Sequence, residues 1–108
     1  MKYSVYILTD PRYGAICYVG ITKDVEWRYY YHCLPGDSTS RAYWWISSLK
    51  EQGLKPLLSV IEGAEDWDAA YERETYWMNV LLDEGEPLLN YVAPIRRKKK
   101  EVICLDSE

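Results

Sequence analysis

The sequence predicts an α/β domain of the α+β sandwich kind: a small three-stranded, mainly antiparallel sheet flanked by helices. Three observations carry that prediction. The first twenty residues hold two short β-type runs separated by turn residues, the pattern of a hairpin. Three later stretches each follow helix-capping residues and carry apolar side chains at helical spacing. One apolar run, Leu57-Leu58-Ser59-Val60-Ile61, lies between the second and third of these and supplies a third strand.

In chain order, Lys2 to Thr9 places Tyr3, Val5 and Ile7 on one face and Ser4, Tyr6 and Leu8 on the other. Asp10-Pro11-Arg12-Tyr13-Gly14 has turn chemistry, and Ile16 to Ile21 returns as the second strand. If positions 9 and 15 face each other, Tyr6 stands opposite Tyr18 on one face of the ribbon; a one-residue slip would undo that. Asp24 caps a first helix through about Cys33, which Pro35-Gly36 ends. Ser38, Thr39 or Ser40 caps a second helix through Gln52, with Gly53 as its stop. Asp66 caps a third from Trp67 to about Asp83, with acidic residues in its first turn and Gly85 after it. Leu88 to Val92 is a short closing segment. Residues 1–94 thus form one domain, and 95–108 form a basic, then acidic, tail with a small strand at Val102–Leu105.

A chain of 108 residues buries roughly two-thirds of its unfolded surface, enough for one modest core. With 48% apolar and 28% charged residues it is globular in composition. No apolar run reaches the ~18–20 residues of a membrane span, and the N-terminus is too short and polar for a signal peptide. Cys17, Cys33 and Cys104 are odd in number and widely spaced, which argues against a disulfide scaffold and a structural zinc site. The expectation is a soluble, cytoplasmic domain with no membrane partner. Charge is unevenly placed. Residues 1–55 hold seven basic and five acidic side chains, 56–94 hold one and nine, and 95–108 hold five and three. A basic footprint for nucleic acid therefore comes only from the N-terminal half and from Arg96 to Lys100.

Eleven Tyr and five Trp stand against no Phe, and most of these read as core and surface filling. Trp44-Trp45 and Trp77 are expected to pack the second and third helices together. Two positions carry more information. In the third helix Ala70, Tyr71, Trp77, Met78 and Leu81 form the apolar stripe, and Glu74 lies inside it. Glu72 falls on the solvated side. A carboxylate on a core-facing stripe is costly unless paired, protonated or metal-bound, so Glu74 is a structural ion pair or a functional group. In the first helix Arg28 and His32 sit four apart on one face, suited to holding a phosphate and handling a proton. The plain alternative is an amphipathic helix with Arg28 paired to Glu26 or Asp24.

Together, Ser4-Val5-Tyr6, Tyr18-Val19-Gly20, Arg28, His32, Glu74 and Asn90 fall in an order and spacing that resembles the GIY-YIG nuclease family, over about residues 2–92. Ser4 and Val5 stand where that family's name-giving Gly and Ile would be, and Tyr6 remains. The sixteen-residue step from Glu74 to Asn90 is long for the family and implies an extra turn or loop around Glu84–Leu88. The resemblance implies hydrolysis of a nucleic-acid phosphodiester, DNA in the first place, to a 5′-phosphate and a 3′-hydroxyl at one divalent ion, Mg²⁺ or Mn²⁺. Glu74 would be the metal ligand, Arg28 would hold the phosphate, and Tyr6 or Tyr18 would orient or deprotonate the attacking water. A free phenol is a poor base at neutral pH, so His32, the ion or Arg28 must assist it. Asn90 would donate an orienting hydrogen bond. Gly20 would let backbone approach substrate or the neighbouring helix, with Thr22 and Lys23 as further substrate contacts.

So short a chain leaves targeting to substrate structure, weak sequence preference, homodimerisation or a partner. The rival reading is a catalytically inactive module of the same fold that binds nucleic acid or a basic protein partner, and a third is an unrelated small binding domain. The tail reads as a solvated charge run, a phosphate-binding arm, or, in a eukaryotic source, a localisation signal.

Overall fold

The computed structural model describes residues 2–34 and 41–90. Three strands and three helices follow one another as β1 (Tyr3–Thr9), β2 (Ile16–Thr22), α1 (Val25–His32), α2 (Arg41–Glu51), β3 (Leu57–Ala64) and α3 (Trp67–Asp83). The sheet is antiparallel throughout, in the order β2-β1-β3. No helix among the described residues is long and apolar enough to cross a membrane.

The hairpin forms as the alternation predicts, but in a different register. Tyr6 lies opposite Gly20, and Tyr18 lies opposite Leu8. Two single-residue offsets cause this: the loop closes with Thr9 opposite Ile16 and not Ala15, and a bulge leaves one extra β2 residue, Cys17, between the Thr9–Ile16 and Leu8–Tyr18 pairs. The resulting shift of two positions keeps Tyr6 and Tyr18 on the same face as diagonal neighbours, with ring centroids 6.3 Å apart. A second bulge sits beside Tyr6, where Val5 pairs with Glu62 and Tyr6 with Val60, leaving Ile61 over.

Side-chain alternation gives β1 two unlike faces. Val5 joins Val19, Met78, Leu81 and Leu88 in the apolar core beneath α3, with Ile7, Ile16, Ile61 and Trp77 packed against it. Tyr6, on the other pleat, is fully buried and meets α1. The α3 boundaries match the predicted ones because the local signals agree. The Asp66 side chain accepts a bond from the Ala69 N–H, Asp68 sits at the positive end, and the helix stops before Gly85. A turn at Glu84-Gly85 follows α3, and residues 86–90 run on outside helix and strand, across the stretch where the sequence places a turn or loop. Asp24 caps α1 through the Trp27 N–H as predicted. Gly53 ends α2 with φ +73°, as its N–H bonds to the Lys50 carbonyl and that of Leu54 to Leu49.

Two expectations are corrected. Tyr71 is 57% exposed, so the α3 stripe is narrower than the sequence suggests and is carried by Ala70, Met78 and Leu81 with Trp77. The tryptophans do not join α2 to α3. Trp44 is 60% exposed, Trp45 donates its indole N–H to Asp10 at 2.9 Å, and Trp77 donates to Glu62 at 2.8 Å. Each indole thus serves a carboxylate near a strand end or edge, because a buried indole nitrogen needs an acceptor that helix-to-helix packing lacks. The expected caps at Ser38–Ser40, the stop at Pro35-Gly36, and the tail with its strand at 102–105 lie outside the described residues.

Candidate active site

Tyr6, Tyr18, Arg28 and His32 come together on the α1 side of the sheet. Arg28 and His32 project from one face of α1, four residues apart, and both reach the Tyr6 hydroxyl. His32 Nε2 lies 2.7 Å from it, and Arg28 donates through Nε at 3.3 Å. Since the phenolic oxygen accepts from Arg28, its own proton is free to point at His32, which then carries its hydrogen on Nδ1. Tyr18 closes the group, its ring edge-on to His32 at 5.1 Å. Arg28 makes no ion pair with Glu26 or Asp24, so the plain amphipathic reading of α1 fails there.

Burial sets the protonation states. It pushes Tyr6 up to about 12, helped by Tyr18 and opposed by Arg28. It also pulls His32 down to about 4, with the Arg28 charge adding to the effect. At neutral pH the pair is therefore a phenol bonded to a neutral imidazole. That is a proton donor facing an acceptor, with a fixed cation beside the shared oxygen.

Gly20 makes this placement possible. A Cβ at that position would lie 2.5 Å from Cζ and the hydroxyl oxygen of Tyr6, so the Tyr6 ring lies in the space the glycine leaves. The close approach that Gly20 admits here is that of a side chain of the neighbouring strand.

Glu74 projects from α3, half-buried, while Glu72 is exposed as expected. Desolvation raises its carboxyl to about 7, and its charge reaches Tyr6, whose ionisation it opposes. No hydrogen bond or ion pair to it is found among the described residues, so the structural salt bridge that the sequence left open is not formed there. No group of three or more His, Cys, Asp or Glu among the described residues forms a protein cage for a metal. A single carboxylate left without a bonded partner near the Tyr6–Arg28 cluster fits a hard divalent cation, which completes its shell with water and substrate oxygens.

The remaining predicted residues lie outside the Tyr6 bond network. Asn90 is buried, its amide accepting from the Val19 N–H at 2.9 Å and donating to the Val19 carbonyl at 2.7 Å. Thr22 bonds through its hydroxyl to the Asp24 backbone and shapes the entry to α1. Lys23 rests its ammonium 5.4 Å over the Tyr3 ring, with no bond to Tyr6, Arg28 or His32. Three residues escaped the sequence reading. Asp10, almost fully buried, gathers Arg12 and Trp45 at the end of β1, though its turn setting gave no sign of that. Trp27 and Tyr31 stack in solvent beside Arg28, and their i, i+4 spacing was legible.

A family model described as the GIY-YIG catalytic domain matches residues 2–86, which include every member of this cluster and stop short of Asn90. No curated protein and no solved structure gives a significant match to the chain.

Proposed function

Because the chain belongs to the GIY-YIG family of nuclease domains, we propose that it is an active, divalent-metal-dependent endonuclease that cuts DNA to 5′-phosphate and 3′-hydroxyl ends. The observation that carries the reading is the contrast between a hydrogen-bonded Tyr6–His32–Arg28 set and a half-buried Glu74 left without a partner. A binding module has no use for such a carboxylate beside a phosphate site.

Glu74 would hold the ion, Mg²⁺ or Mn²⁺, which when bound supplies charge neutralisation at the phosphate and the departing oxygen. Arg28 clamps a phosphate oxygen with the guanidinium edge that Tyr6 does not occupy and offsets the charge that builds there. Tyr6 takes the proton of the attacking water as its own passes to His32 Nε2. A phenol this hard to ionise would be a poor base alone; the neutral imidazole at 2.7 Å lets it relay a proton without ever standing as a free phenolate. Tyr18 walls the group and helps to orient the water.

The test is nicking of supercoiled plasmid at low salt with Mg²⁺, with Mn²⁺ and with chelator. Wild type is expected to nick only with metal, Glu74→Ala to lose nicking in both metals, and Glu72→Ala to keep it. A folded wild type that cuts neither plasmid nor branched, single-stranded or RNA substrates in either metal overturns the proposal.

A further inference from the structure

Two large rings lie stacked in solvent next to the phosphate site. Trp27 and Tyr31 are 5.3 Å apart at an interplanar angle of 14°, and they remain 56% and 50% exposed. The cluster around Tyr6 uses neither ring. They are nevertheless tied to it, because the Arg28 guanidinium sits 5.2 Å over the Tyr31 ring while its Nε bonds the Tyr6 hydroxyl. One side chain therefore runs from the aromatic stack to the Tyr6 hydroxyl, where the proposed function puts the phosphate.

We propose that Trp27 and Tyr31 form a stacking platform for an unpaired nucleobase flanking the cut, so that the preferred substrate carries a single-stranded or extruded nucleotide beside the scissile bond. The inference rests on the nuclease reading of Arg28 and names the substrate class of that site. The chemistry selects the ligand. A flat, exposed indole and phenol pair offers a π-face to another flat ring, and every base has one, so the platform is indifferent to sequence. A base inside an intact duplex is already covered on both faces by its neighbours and offers nothing to the platform. An unpaired base offers a free face, and its own phosphate trails toward the cation that Arg28 supplies. The helix is well placed for this: α1 has no buried residue, so the ring pair stands at the surface beside the cluster.

The test is equilibrium binding in chelator, by fluorescence anisotropy, of the full chain to a forked DNA, to a perfect duplex of equal length, and to the fork with an RNA single-stranded arm. Wild type should bind both forks about 5- to 150-fold more tightly than the duplex, the factor that one base–aromatic stack supplies. The ratio should persist as salt rises, since phosphate contacts contribute to all three ligands alike. Trp27→Leu should bring the ratio close to one, and Trp27→Tyr, which keeps a stacking ring, should restore part of it. Tyr30→Leu, at an equally exposed ring outside the stack, should leave the ratio as it is. Equal binding of fork and duplex by wild type, or a ratio that survives Trp27→Leu, overturns the platform. Cleavage plays no part in this readout, so loss of the nuclease reading would show separately, in the nicking of wild type against Glu74→Ala.

Discussion

The two sides of the site are built on opposite terms. On the α1 side the central groups are partnered by protein: Tyr6 bonds His32 and Arg28, and Arg28 also covers Tyr31. On the α3 side Glu74 is half-buried with no bonded partner among the described residues, and burial alone lifts its carboxyl to about 7. A protein that only needed to fold would satisfy both sides or bury neither. On the proposed reading, the difference separates groups assembled in advance from a group that awaits a ligand, since a satisfied network holds its geometry and an orphaned carboxylate stores a cost that a proton or a bound cation removes.

The largest effect expected on the preassembled side is that of Tyr6→Phe. The ring keeps its place over Gly20 and the relay loses its oxygen, so metal-dependent nicking should fall ~10²–10⁴-fold with the melting temperature little changed. A variant that cuts within a few-fold of wild type would move the proton-transfer role to Tyr18. Asn90→Ala tests a polar residue whose amide is taken up by the Val19 backbone. Removing its amide strands the N–H and carbonyl of Val19, which should cost about 2–4 kcal/mol in a denaturant titration. The rate per folded molecule should change little, and a large fall in it would return Asn90 to the reacting centre.

The smallest effect is also the most particular. In chelator, Glu74→Gln should be more stable than wild type at pH 8, by about 1 kcal/mol after allowance for solvent screening, and the difference should vanish near pH 4. The sign follows from the raised carboxyl. Its contribution is fully present below the unfolded value of 4.5 and is lost as pH rises through about 7. His32 runs the other way. Its folded value is depressed to about 4, so its contribution is present above the unfolded 6.5 and is lost on acidification. Between those limits the two groups oppose each other in wild type, and thermal melts across pH would show the glutamine variant losing that balance. A stability difference that is flat with pH would mean Glu74 is not buried at a cost.

Much of this was legible in the sequence where one local signal sufficed. The span of α3, its Asp66 cap, the Asp24 cap and the shared face of Arg28 and His32 all follow from spacing and capping chemistry. What escaped depends on counting across strands or on partners far along the chain. The bulges at Cys17 and Ile61 are single surplus residues with no compositional mark; the first, with a loop that closes at Ile16, sets Tyr6 opposite Gly20 and not Tyr18, and the second offsets β3 against β1. Helical periodicity put Tyr71 in the core because it cannot say how wide the buried stripe is. Trp45 and Trp77 were paired by apolar character, whereas their indole nitrogens chose Asp10 and Glu62. Asn90 was placed by family spacing, and its amide turned out to complete the outer edge of β2.

The notch at Gly20 also bears on how this chain can change over generations. Tyr6 and Gly20 fill one volume between them, so neither position is free to drift by itself. A methyl group at 20 is ruinous while the tyrosine stands and should be almost harmless once position 6 is small. In a double-mutant cycle the pair should therefore depart strongly from additivity. Any lineage that abandoned the tyrosine would lose this reason to keep the glycine, and a side chain appearing at 20 would be a readable trace of that loss.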